Sequence, residues 1–260
     1  MNMQPFIIGH RGASAYAPEN TLAAIQAAVD ADADGVEFDV QLASDGIPVV
    51  IHDLTLHRTG SIPGSVSEFS SKELGMIDVG SWFNAKYPKR SDTNYGRQTI
   101  PTLAQVLELL GSFPGLVYIE LKPTKSNFRQ LAKAVCDEIC ASPLLPQMIL
   151  KSFRLAAIPE IKHYLPKVQT AALFEPTVMS ILRRRKHILT IAREFGADQI
   201  SLHHSLVTKK LMSLASREKV LVTVWTTDKP KWVSRGRDLG IRALRTNDPA
   251  NLVKYRETNI

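Results

Sequence analysis

Nine short apolar runs, most of them followed by a longer amphipathic stretch, constrain the fold of this 260-residue chain more than any other feature. The runs lie at 6–9, 36–41, 48–51, 116–121, 148–152, 168–174, 199–202, 220–226 and 243–246, and each has the length of a strand. Stretches at 20–32, 103–110, 128–139, 156–164, 178–195, 209–218 and 231–239 read as helices, and a terminal helix closes the chain. In the first of them Leu22, Ile25 and Val29 share one face at helical spacing. Strand–helix units joined by short loops imply a parallel sheet, because parallel neighbours need a crossover. One link breaks the rule. Residues 43–47 hold Ser44-Asp45-Gly46 and are too few for a crossover, so the third run reads as an antiparallel return arm. Removing it leaves eight parallel strands, which predicts an α/β fold of the TIM-like (β/α)8 barrel type. The rival, an open doubly wound sheet, lacks a Gly-rich dinucleotide fingerprint after the first strand.

The length suits one barrel domain over 1–260 with an insertion at about 53–99. That segment breaks the rhythm. It is rich in Ser, Gly, Pro and Asp, carries Phe69, Trp82, Phe83, Tyr87 and Tyr95, and is expected to cap one end of the barrel.

A net charge of +7 raises the question of a nucleic-acid partner, but the basic residues are scattered and form no aromatic-studded stripe. The densest run, Arg183-Arg184-Arg185-Lys186, reads as a solvated helix face. Surplus positive charge also steers small anionic substrates, the expected partners here. Cys136 and Cys140, four apart in a helical pattern, suit neither a disulfide framework nor a zinc site. There is no signal-peptide pattern, and no apolar run reaches the roughly 18 residues of a membrane span. The expectation is a soluble, cytoplasmic protein without stable membrane insertion.

Glu37 and Asp39 lie two apart in an apolar strand, so both point to one side. Two carboxylates there cannot stay buried and unpaired. Ordinary salt bridges would satisfy them, and so would a divalent cation. Glu120, flanked by Tyr118, Ile119 and Leu121 and followed by Lys122, adds a third carboxylate on another strand. An all-oxygen set suits Mg²⁺ or Ca²⁺ better than a soft metal. His10 ends the first apolar run and His52 the third. Either alone would be an ordinary core or loop residue. Two imidazoles across a phosphate could share proton transfer, one activating a nucleophile and the other protonating a leaving alkoxide. Arg11 offers forked hydrogen bonds to a phosphate and Lys122 a point charge. In a barrel the C-terminal ends of the strands share one mouth, which would bring these pieces together.

The combination resembles the glycerophosphodiester phosphodiesterase family, cousins of the phosphatidylinositol-specific phospholipases C. It runs from His10-Arg11-Gly12 through Pro18-Glu19-Asn20-Thr21, Glu37-Phe38-Asp39-Val40, Asp45-Gly46 and Pro48-Val49-Val50-Ile51-His52-Asp53. It continues through Leu56-His57-Arg58-Thr59, Gly80-Ser81-Trp82-Phe83, Ile100-Pro101-Thr102-Leu103 and Ile119-Glu120-Leu121-Lys122, with weaker echoes at Ser152-Phe153, Trp225-Thr226 and Thr246-Asn247. The resemblance implies metal-dependent hydrolysis of deacylated phospholipid headgroups to sn-glycerol 3-phosphate and an alcohol. It implies Glu37, Asp39 and Glu120 as ligands of one Mg²⁺ or Ca²⁺, and His10 and His52 as general acid and base, in either order. Arg11 and Lys122 become phosphate contacts. Asn20 becomes a supporting or substrate-binding residue, and Trp225 a wall of the glycerol pocket if it is not a plain core aromatic. The nucleophile is either water or the neighbouring glycerol hydroxyl.

The far half departs from the pattern. Relatives show Trp-Thr-Val-Asn where this chain has Trp225-Thr226-Thr227-Asp228, and apolar residues where Arg245 stands. Arg245 is expected to pair with Asp228; the alternative is a contact to a more anionic substrate. His203-His204 is also unusual. Two rival functions remain open. One is a lysophospholipase D-type phosphodiesterase with an acyl slot formed by the 53–99 segment. The other is a catalytically silent binding protein, against which the complete set of His10, His52, Glu37, Asp39 and Glu120 argues.

Overall fold

A computed structural model describes residues 4–176 and 187–259. Its strands are β1 (Phe6–His10), β2 (Gly35–Leu42), β3 (Pro48–Val50), β4 (Leu116–Leu121), β5 (Met148–Ser152), β6 (Gln169–Phe174), β7 (Gln199–His203), β8 (Leu221–Trp225) and β9 (Ala243–Thr246). Leaving β3 aside, each strand pairs in parallel with the next, and β9 returns to β1. Eight strands thus close a TIM-like (β/α)8 ring. The exception is the arm read from the short link. β3 runs antiparallel to the upper part of β2, from Val40↔Val50 to Leu42↔Pro48, beyond the point where β1 leaves it at His10↔Glu37. The turn closes through Gly46, which sits at φ +82 where a side chain is disfavoured.

Helices cover the ring, and several start on a side-chain cap. Thr21 accepts from the backbone of Ala24 at Leu22–Asp30, and Thr102 forms a capping box with Gln105 at Leu103–Leu110. Outward-facing strand residues pack under the helices, Phe38, Val40 and Ile119 against Leu131 and Val135 on one side. On the other side Ile7, Ile200, Val224 and Leu244 pack with Trp232 and Leu252. The two-residue period sends alternate side chains inward. One interior layer is apolar: Ile8, Tyr118, Ile149, Ala171 and Ala243. Two residues further along β1, β4, β5 and β9 stand His10, Glu120, Lys151 and Arg245, so the barrel turns polar towards its C-terminal mouth.

Between β3 and Leu103 the chain makes short helices at His57–Gly60, Ser71–Leu74 and Ser81–Lys86. Leu56, Val66, Leu74, Val79 and Ile100 form a small core there with Val49 and Ile51. Trp82, Lys86, Tyr87 and Arg90 of this segment reach a cavity shared with His10 and Arg11, so it lies over the mouth. Of the helix expected over 178–195, Ile188–Glu194 is seen. The rest of it, with the Arg183–Lys186 run, falls largely in residues 177–186, outside the described residues. Among the described residues no helix is long and apolar enough to cross a membrane.

Candidate active site

The site begins where β1 ends. After His10 the backbone turns through Arg11 at φ +58 and Gly12 at φ +78. A Cβ on Gly12 would lie 2.3 Å from the backbone of Ala24, so the loop is pressed flat on the Leu22–Asp30 helix. This turn aims the Arg11 N–H at Glu37 Oε2, 3.0 Å away. Asn20 also sits in the left-handed region, at φ +59. Its amide closes a two-bond ring on Asp39: Nδ2 donates to Oδ2 (2.9 Å) and Oδ1 accepts from the Asp39 N–H (3.1 Å). Asn20 is therefore buried behind the acid it holds.

Glu37, Asp39 and Glu120 are all buried, and their oxygens come within 4.8 Å of one another. Strand register explains the convergence, since Asp39 pairs with Glu120 across β2 and β4. Cations surround the acids. Lys151 Nζ bonds Glu37, and Glu120 at 3.0 Å. Arg245 Nη1 donates to Glu37 at 3.0 Å. Lys122 Nζ lies 3.1 Å from Glu120 and 3.7 Å from Asp39, and Arg11 Nε lies 3.3 Å from Asp39. Burial alone would raise the pKa of Asp39, but Lys122 and Arg11 hold it down at about 2. The same contest, with Lys151 as the chief opposing charge, leaves Glu37 and Glu120 lowered as well. Three ionised carboxylates offering only oxygen fit a hard divalent cation, and this cluster could hold one.

His10 stands in register with Glu37, and His52 follows Ile51, whose N–H bonds the Asp39 carbonyl; the two rings are anchored alike. His10 Nδ1 donates to Asn247 Oδ1 (2.8 Å), whose amide nitrogen donates in turn to Asp228 (3.0 Å). His52 Nδ1 donates to Asp53 (2.6 Å). Each ring thus keeps Nε2 for other work. Gln41, buried beneath, donates towards the carbonyls of His52 (3.1 Å) and Asp53 (2.6 Å) and fixes that turn. Arg58 ties Asp53 (2.5 Å) to Glu19 (2.7 Å), and Glu19 also takes Arg11 (2.6 Å). A cavity of about 480 Å³ opens beside His10, Arg11 and Asn247.

Arg245 does not pair with Asp228. It lies in register with Ile8, faces the barrel interior, and meets Glu37 and Ser201 (2.6 Å). Asp228 belongs to the loop above and accepts instead from Thr246 Oγ1 (3.0 Å) and the Asn247 N–H (2.8 Å). Trp225 is half-buried at the end of β8, edge-on to Phe153 (5.5 Å) and His203 (5.1 Å), with the Arg245 guanidinium 5.5 Å over its ring. His203 and His204 stack on each other at 4.1 Å, and burial followed by the neighbouring His204 lowers the His203 pKa.

Lys151 and Gln41 escape a reading of the sequence, while Glu19, Arg58 and Asn247 lie in motifs of the family resemblance without a role assigned to them. Lys151 has a local signal, a lone charge inside an apolar strand. An apolar groove of about 660 Å³ adjoins Glu120 and Lys122, lined by Phe153, Leu155, Ile191 and Phe195. Of the 53–99 segment it takes only Leu54; the ends of β4 and β5, the residues after them and the Ile188–Glu194 helix with Phe195 beyond it supply the other described lining.

Residues 10–251 match the model of the Glycerophosphoryl diester phosphodiesterase family. The glycerophosphodiester phosphodiesterase of Caldanaerobacter subterraneus subsp. tengcongensis is 29% identical over 251 residues, which span 96% of this chain and 97% of the relative. That of Bacillus altitudinis is 28% identical over 254 residues, spanning 96% and 98%. In fold the chain is similar to an Oleispira antarctica phosphodiesterase solved with its product sn-glycerol-3-phosphate. Their TM-score is 0.84 at 24% identity, covering 98% of this chain and 97% of that one. Fold, motifs and sequence relatives agree, and the chain belongs to the glycerophosphoryl diester phosphodiesterase family.

Proposed function

We propose that this enzyme hydrolyses glycerophosphodiesters to sn-glycerol 3-phosphate and a free alcohol, with His10 and His52 as the proton-transfer pair. The carrying observation is the three converging carboxylates with two imidazoles tethered through Nδ1 nearby, one in register with Glu37 and one in the turn after Ile51, which bonds Asp39. The product held by the Oleispira antarctica phosphodiesterase supports the same substrate class here. Glu37, Asp39 and Glu120 would hold one hard divalent ion, Mg²⁺ or Ca²⁺, which would supply Lewis-acid stabilisation of charge on the phosphate.

The chain's own residues do the rest. Arg11 and Lys122, at the rim, bind the non-bridging phosphate oxygens and oppose the charge that grows as the nucleophile arrives. One imidazole takes at Nε2 the proton of the nucleophile, water or the neighbouring glycerol hydroxyl, and the other delivers a proton from Nε2 to the departing alkoxide; on the second route water then opens the cyclic phosphate. Asn20 keeps Asp39 in place. Trp225 walls the glycerol side of the pocket. The 53–99 segment, an insertion in a single barrel domain, covers the mouth.

The test is glycerol 3-phosphate release from glycerophosphocholine, glycerophosphoethanolamine and glycerophosphoglycerol in defined metals. EDTA is expected to abolish release, and Mg²⁺ or Ca²⁺ to restore it. Full turnover in chelator removes the ion from the mechanism. The apolar groove beside Lys122 favours a second reading, a lysophospholipid substrate with its acyl chain in that groove. Lysophosphatidylcholine turned over faster than glycerophosphocholine would select it.

A further inference from the structure

Three carboxylates in this cluster face four cationic side chains, Lys151, Arg245, Lys122 and Arg11. The four are not alike. Lys122 and Arg11 keep 18% and 19% of their side chains exposed and can turn towards a bound phosphate. Lys151 and Arg245 are 0% and 1% exposed. Lys151 meets Glu37 and Glu120, and Arg245 meets Glu37 and Ser201, whose hydroxyl also accepts from Thr223 (2.9 Å). Neither has another carboxylate within 4.0 Å among the described residues, and both are closed off from solvent.

We infer that Lys151 and Arg245 are resident counter-cations, positioning residues that preassemble the carboxylate cluster and weaken its grip on the divalent ion. The inference rests on the proposed ion site at Glu37, Asp39 and Glu120. Without compensation, three buried carboxylates this close would repel one another and spread, or take up protons. Lys151 bridges two of them across β2, β4 and β5, so their arrangement does not wait for an ion. The same ammonium then shares carboxylate oxygens with any arriving ion. Like charges in one buried shell repel strongly, and this outweighs the ordering cost that preassembly removes. Arg245 adds to the effect by engaging the Glu37 oxygen that Lys151 uses. The site therefore binds its ion loosely and is not distorted when the ion leaves.

The experiment is calorimetric titration of the chelator-treated full chain with Mg²⁺ and Ca²⁺, together with thermal melting in EDTA and in excess ion. Lys151→Met and Arg245→Gln are each expected to bind the ion at least about tenfold more tightly than wild type. Both should melt at a lower temperature in EDTA and gain more from added ion. Arg245→Lys, which keeps the charge, is expected to keep the wild-type affinity. A role in packing alone lowers stability but does not tighten ion binding. If Lys151→Met does not fold, the Arg245→Gln and Arg245→Lys pair decides. Variants that fold and bind the ion no more tightly than a wild type that does bind it overturn this inference and leave the proposed ion site standing. A wild type that binds neither ion overturns both.

Discussion

His10 and His52 reach the same state by different routes. One hangs from an amide, Asn247, that is itself fixed by Asp228; the other hangs from its neighbour Asp53. Either way Nδ1 is occupied and Nε2 is left without a protein partner among the described residues. On the proposed roles, replacing either imidazole removes a proton-transfer step but no part of the barrel core. His10→Ala and His52→Ala should each lower turnover of glycerophosphocholine by at least about 10²-fold while circular dichroism is unchanged. The pair should separate on a substrate with a p-nitrophenolate leaving group, which needs little protonation. The variant lacking the acid recovers most of its rate, and the variant lacking the base does not. Near-wild-type turnover of glycerophosphocholine by either variant sinks the assignment. The two histidines and three acids are legible in the sequence because each is a polar residue at the end of, or inside, an apolar strand. Lys151 carries the same mark, but its meaning lies in a register, Glu120↔Lys151, that no single strand displays. Arg245 and Asp228 both depart from the family pattern near the barrel mouth and suggest a pair, yet strand alternation turns Arg245 inward towards Glu37. Asn247 and Glu19 join the site through contacts between loops, which have no periodicity to read.

Strands and helices are the legible scale of this fold. Leu116–Leu121, Met148–Ser152, Ala243–Thr246, Leu103–Leu110, Phe128–Ile139 and Lys231–Leu239 coincide with their apolar patterns residue for residue. The return arm follows from a link too short for a crossover. The loop after β1 is less transparent, because its shape comes from close packing on a helix. Gly12 and Gly46 separate backbone conformation from that packing. Both have positive φ, but a Cβ at Gly46 would meet nothing within 4 Å, whereas at Gly12 it would enter the backbone of Ala24. Gly46→Ala should cost about 1 kcal/mol, the strain of a left-handed alanine. Gly12→Ala should cost about 3 kcal/mol and also reduce activity, since the loop must lift and take the Arg11 N–H from Glu37. Urea unfolding of the two variants makes the comparison. Equal costs would mean that the loop is not pressed against the helix.

At the scale of the whole molecule, the segment over the mouth is joined to the barrel by charge as well as by its small core. Arg58, from the His57–Gly60 helix, clamps Glu19 in the loop after β1 and Asp53 in the loop after β3. Burial would raise Asp53, but hydrogen bonds from Arg58 and His52 bring its pKa down to about 2. Glu19 is lowered too, with Arg58 and Arg11 outweighing its burial. Acids depressed in the folded state stabilise it at pH values above their unfolded pKa of about 4, and that stabilisation fades as pH falls through the folded value. The clamp should therefore hold at neutral pH and loosen between about pH 4 and pH 2. Arg58 is 41% exposed, so solvent screening limits the Asp53 pair to about 1 kcal/mol. Asp53→Asn should lose about that much stability near pH 7, and its difference from wild type should shrink steadily as the pH is lowered below about 4. Urea unfolding at a series of pH values reads this directly. A difference that stays constant through the acid range would assign the loss to the orientation of His52 and its turn, and not to the ionic clamp.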